Sequence, residues 1–151
     1  MKMNASLLFL ALSLFAGALI PFQNAMNSTL GRQLQSPYFS TFVVFAVGLI
    51  GMAIYILITR SPVPTIAQFS GAPYWSYFGG LTAGVYVLLL VICAPKVGIG
   101  NVTVMVLLGQ ILAAMIIDQW GLFGALIHAM NWQRFVGILL MIGGVFLVKK
   151  F

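Results

Sequence analysis

The sequence predicts an all-α integral membrane protein of five transmembrane helices, and two observations carry that expectation. Hydrophobic residues make up 62% of the 151 positions, and only seven basic and one acidic side chain are charged. A soluble domain carries roughly a quarter charged residues. This chain could not cover its surface in water, whereas lipid accepts helices that are apolar all round. The second observation is the length of the apolar runs, each near the roughly 20 residues that a helix needs to cross a hydrocarbon core of about 30 Å. Runs of that length are not transmembrane β-strands, which alternate over about ten residues.

The first helix is expected over 5–30, apolar as far as Phe22 and polar from there to Leu30. Lys2 and Phe15-Ala16-Gly17-Ala18 loosely imitate a cleavable signal. The apolar run continues through Leu19-Ile20-Pro21-Phe22, however, and reads as a retained span. The second helix, 38–59, follows Ser36-Pro37, an N-cap and first-turn proline pair. Arg60-Ser61-Pro62-Val63-Pro64 breaks the pattern, and a loop continues to Ala72. Pro73 opens the third helix, 74–93, and Ala94-Pro95-Lys96-Val97-Gly98 reads as a tight turn. The fourth helix is expected over 100–120, a glycine-bearing apolar connection over 121–131, and the fifth helix over 132–148. Together they make one transmembrane domain over 1–151 with no internal repeat.

The formal charge of +6 would suggest nucleic acid in a soluble protein. Here the basic residues are scattered near the ends of apolar runs, where they anchor helices in the headgroups, and no nucleic-acid partner is expected. Trp75, Trp120 and Trp132 fall at helix ends too, as interfacial tryptophans do. Five spans place Lys2, Arg60 and Arg134 on one side, against Arg32, Lys96, Lys149 and Lys150 on the other. The positive-inside rule needs an excess on one side. Three basic side chains and an α-amino group against four leave it almost nothing to act on, so either a weaker signal orients the chain or it inserts both ways.

Catalytic residues are not in evidence. The chain has no carboxylate pair, no nucleophile with a histidine by motif and no glycine-rich phosphate loop, and an enzyme is not expected. Cys93, His128 and the lone acid are far apart in sequence and suggest neither a metal site nor a cofactor.

The densest polar cluster ends the first helix: Gln23, Asn24, Asn27, Ser28 and Thr29, just after Pro21. Gln23 and Asn27 are four apart and share a helix side, and Pro21 should kink the helix and free a carbonyl one turn earlier. These amides read equally as the lining of a ligand-binding vestibule and as a helix end solvated by headgroups. Asp118 lies about 27 Å along the fourth helix at 1.5 Å per residue, near an interface. A structural ion pair with Arg134 or Arg32 is preferred there over a functional role. Gln110, at mid-helix, needs a partner across a helix interface and joins Gln23, Asn24 and Asn27 as an expected vestibule residue. Gly48, Gly84, Gly109 and Gly143 fall near helix midpoints, and Gly80 with Gly84 makes a small-xxx-small pair. These glycines suggest tight packing or the waist of a cavity.

Pro21-Phe22-Gln23-Asn24-Ala25-Met26-Asn27-Ser28-Thr29-Leu30 resembles the first-helix signature of the YdcZ family, a five-helix branch of the drug/metabolite transporter superfamily. Gly109-Gln110-Ile111-Leu112 leading to Asp118-Gln119-Trp120-Gly121-Leu122-Phe123-Gly124 resembles its fourth-helix signature. Arg134-Phe135-Val136-Gly137-Ile138-Leu139-Leu140 with Gly143-Gly144-Val145 resembles its last. The resemblance covers essentially the whole chain. It implies a bacterial inner-membrane transporter whose single-gene members insert in both orientations and pair as antiparallel homodimers, in agreement with the balanced charges.

The expectation is therefore a secondary transporter, an exporter of small molecules, whose partners are a second copy of itself and membrane lipid. A midplane site between inverted units is a recurrent transporter design. Scarce midplane charge favours a neutral or hydrophobic-cation substrate. The alternatives are a passive channel of the same build and a non-transporting, lipid-binding membrane protein. Dual insertion has a direct test. On a Cys93→Ser background, Lys2→Cys should react with an impermeant maleimide from both sides of the membrane. Labelling from one side only would exclude the antiparallel pair.

Overall fold

The computed structural model describes residues 5–150. The described residues form helices α1 (Ala5–Gln33), α2 (Pro37–Thr59), α3 (Ile66–Gly71), α4 (Gly79–Val97), α5 (Ile99–Trp120) and α6 (Trp132–Lys150). Short 3-10 turns occupy Tyr74–Phe78 and Leu122–Gly124. Five stretches are long and apolar enough to cross a membrane: Ser6–Gln33, Pro37–Thr59, Tyr74–Val97, Ile99–Trp120 and Trp132–Lys149.

Local chemistry sets the ends. The Ser36 hydroxyl accepts from the Phe39 N–H at 3.2 Å with Pro37 in the first turn, so α2 begins where the cap pattern indicates. It stops at Arg60, whose backbone is left-handed (φ 49°). Arg60 N–H then reaches the Leu57 carbonyl and Ser61 N–H the Ile56 carbonyl, a Schellman closure built without glycine. Beyond it the 60–72 loop is not structureless. Thr65 and Gln68 form a reciprocal capping box that starts α3.

Three boundaries differ from the sequence expectation, the first being the third span, which opens as a 3-10 turn over Tyr74–Phe78 and becomes α-helical only at Gly79. Helix α1 continues past Leu30 to Gln33 and runs unbroken through Pro21. In place of a tight turn over 94–98, α4 continues through Pro95 to Val97, and Gly98 alone separates it from α5. The reason is that proline's fixed φ is itself helical, and in a last turn the missing N–H removes a single bond.

The chain divides into two compact units, one up to Lys96 and one from Val97. In the first, α1 and α2 form a hairpin closed by Leu34 N–H on the Leu30 carbonyl and by Gln35 at φ 51°. Val87, Leu90, Val91 and Ala94 are the buried residues of α4, spaced as one helix face. The three helices meet at Gly31. A Cβ there would lie 2.7 Å from Val91 Cγ1 and 3.7 Å from Ser40 Oγ, so only glycine lets α4 come this close. In the second unit α5 packs on α6. Most large apolar side chains face outward in both units, Leu14, Leu57 and Leu140 each being more than 70% exposed, as helices solvated by lipid require.

The Gly31 contact yields a prediction. Gly31→Ala overpacks against a β-branched side chain that cannot swing away and should cost about 1–3 kcal/mol, read as a lower thermal midpoint in detergent. Val91→Ala on that background should recover part of the loss. A neutral Gly31→Ala would show that α4 does not seat on α1 this way.

Candidate functional site

In the first unit the polar residues of α1 turn inward. Asn24, Asn27 and Ser28 are buried, at 2%, 8% and 1% exposure, and with Gly31 they occupy positions i, i+3, i+4 and i+7 of one helix face. That spacing normally belongs to the apolar stripe of a packed helix. Here it is inverted: Phe22 and Met26 face outward while two amides and a hydroxyl face the protein.

Covering this face takes polar groups from the neighbouring turn and the neighbouring helix. Ser28 Oγ donates to Asn24 Oδ1 at 3.4 Å. Ser40 Oγ of α2, wholly buried, donates to the Asn27 carbonyl at 3.0 Å and ties the two helices together at this level. Gln23 lies off the face and is exposed, although four-residue spacing pairs it with Asn27. Thr29 is also exposed; it donates to the Ala25 carbonyl at 2.9 Å and accepts from Arg32 at 3.0 Å, which holds the arginine along the helix end. An open apolar depression, lined by Ala25, Met26, Thr29, Leu30 and Gln33, runs beside the polar face.

Gln110 and Gly109 are exposed on α5. Gly48, Gly80, Gly109 and Gly143, together with half-buried Gly84, have no atom within 4 Å of a would-be Cβ, so among the described residues none makes a tight contact. Between helices that role falls to Gly31, which is not among the glycines expected to pack. Its signal was present, as the fourth member of the Asn24-Asn27-Ser28-Gly31 spacing. Ser40 and the inward-facing Tyr86 of α4 have no comparable signature, because what covers them is set by packing.

The second unit holds a separate polar clasp. Gly121, in the left-handed conformation (φ 59°), ends α5 and returns the chain along it. His128 N–H then donates to the Asp118 carbonyl at 2.9 Å, and Met130 N–H donates to Gln119 Oε1 at 2.6 Å. Asn131 Oδ1 caps α6 at the Arg134 N–H, 2.8 Å away. The Arg134 guanidinium donates to the Asp118 carboxylate at 3.3 Å and to the His128 carbonyl at 2.9 Å. Both side chains of the pair are about one-third exposed. The arginine thus fastens the end of α5, the returning loop and the start of α6. Among the described residues no three His, Cys, Asp or Glu side chains gather as a metal site would require.

This geometry gives Asp118 a structural role at the end of α5. Asp118→Asn should lower the thermal midpoint, since the amide keeps the shape but loses the charge-assisted bond. The substitution should leave the pH dependence of any transport unchanged. Loss of a proton-driven flux in this variant would place Asp118 in the transport path instead.

A family model described as "Putative inner membrane exporter, YdcZ" matches residues 8–147. No curated protein and no solved structure gives a significant match.

Proposed function

The chain belongs to the YdcZ family of inner-membrane exporters, and from that membership we propose that it is a secondary transporter working as an antiparallel homodimer of five-span protomers. It is a multi-pass inner-membrane protein, and its family consists of transporters rather than enzymes.

The observation that carries the proposal is the inward polar face of α1. In a chain with so few polar residues, Asn24, Asn27 and Ser28 are buried together, where headgroups do not solvate them. Intramembrane polar groups that face the protein mark substrate paths more often than lipid contacts do. The face carries no formal charge, which suits a neutral solute or a hydrophobic cation. Near-equal basic residues on the two sides support the antiparallel pair. Two inverted copies would supply the symmetry by which alternating access is commonly built.

Reconstituted protein should take up radiolabelled tetraphenylphosphonium saturably, and uptake should accelerate when unlabelled compound is loaded inside the vesicles. Asn27→Ala should reduce this exchange several-fold while leaving dimer yield intact. Flux that rises linearly with concentration and shows no exchange would identify a channel. Normal exchange in Asn27→Ala would remove the α1 face from the path.

A further inference from the structure

Most serine and threonine hydroxyls of the spanning helices are satisfied on their own helix, Ser28 through a side chain and Ser40 on the neighbouring helix, whereas one tyrosine hydroxyl is not satisfied at all. Ser13, Thr29, Thr41, Thr59 and Thr103 donate to the carbonyl four residues earlier, and Thr82 to the one three residues earlier. A short side chain can always satisfy itself on its own helix in this way. A tyrosine cannot, because its phenol stands too far from its own backbone. Tyr86 Oη, on α4, is shut away from solvent and has no hydrogen-bond partner, the one side-chain polar atom in that state among the described residues. Its contrast is Tyr77, outside the core of the span, whose hydroxyl donates to the Phe69 carbonyl.

Tyr86 also stands at a telling depth. Gly31 of α1 faces Val91 of α4 at contact distance. Successive spans cross in opposite directions, so the first and third, α1 and α4, run the same way. Asn27 is four residues before Gly31 and Tyr86 five before Val91, which sets both about 6–8 Å back from that contact toward the N-terminal ends of the two helices. Tyr86 sits one turn before Leu90, a member of the buried α4 face. The hydroxyl and the α1 amides therefore share one level of the first unit.

We propose that Tyr86 is a ligand-binding residue, and that its hydroxyl donates to an acceptor oxygen carried on the apolar body of a neutral transported solute. The inference rests on the reading of the α1 face as part of the transport path and deepens it. A buried donor left unmade costs about 1–3 kcal/mol, and a transport site is where such a cost has a use, since the missing bond is completed by cargo. Specificity follows from the same asymmetry, because a solute of equal shape without the acceptor leaves the donor orphaned. The Asn27 amide, with both donors and an acceptor, would bind the other polar edge of such a solute.

The test uses two probes that differ by a carbonyl in place of a methylene, benzophenone and diphenylmethane, on the full chain purified in detergent, with binding read from ligand-induced shifts in thermal midpoint. The wild-type protein should bind benzophenone about tenfold more tightly than diphenylmethane, the discrimination one net hydrogen bond supplies. Tyr86→Phe should bind the two equally, and its ligand-free midpoint should be unchanged or raised. The proposal is overturned if wild type does not discriminate, or if Tyr86→Phe discriminates as well as wild type. It is also overturned if Tyr86→Phe lowers the ligand-free midpoint or the dimer fraction, for the hydroxyl then bonds within the assembly. Asn27→Ala separates this from the broader reading. Weakened binding of both probes with discrimination retained supports the α1 face as a site, whereas unaltered binding of both in Asn27→Ala removes that face whatever Tyr86 does.

Discussion

Lipid offers no hydrogen bonds, so a helix with a polar side must have that side covered by protein. The inward face of α1 creates this demand, and much of the first unit answers it. Ser40 exists at the start of α2 as a donor for the Asn27 carbonyl, and Ser28 turns to Asn24. Gly31 completes the stripe by having no side chain, which lets Val91 of α4 seat directly on the helix. Hydrophobic burial contributes little to choosing this arrangement, because lipid tails are as apolar as leucine. The choice falls to close packing and to polar groups that must find one another.

The second unit solves a different problem by different means. Its basic residue at the start of α6 is not buried among amides but engaged at the end of α5, where Asp118 and the His128 carbonyl share one guanidinium. A pair about one-third exposed is screened and individually weak. Its effect is geometric: a planar, multiply donating group fixes a loop that would otherwise be free to leave the helix end. The sole acid of the chain is thereby used in structure, while the face suited to binding carries no charge at all. This division fits a site for uncharged or weakly hydrated solutes, since a buried carboxylate would select cations and couple binding to protons.

What the sequence determined by itself is the solvent and the element list. Apolar runs of about 20 residues specify helices because only a helix satisfies its own backbone in lipid. Ser36-Pro37 located the start of α2 because a cap is a local device, readable within four residues. The family, too, was legible, since its motifs are contiguous, and near-equal basic residues at the helix ends were countable without coordinates. Tertiary structure decided which polar residues face the protein. Four-residue spacing placed Gln23 with Asn27, yet Gln23 faces out and Ser28 in, because an angle of some tens of degrees around α1 depends on where α2 and α4 lie. Gly31, and not the midpoint glycines, proved to be the close contact for the same reason. The α4 end passed through Pro95, where a local rule predicted a turn, because one missing bond at a last turn is too small to set the boundary. Tyr86 was the least legible of all: a tyrosine in an apolar run has no signature, and only packing could take water and every partner from its hydroxyl.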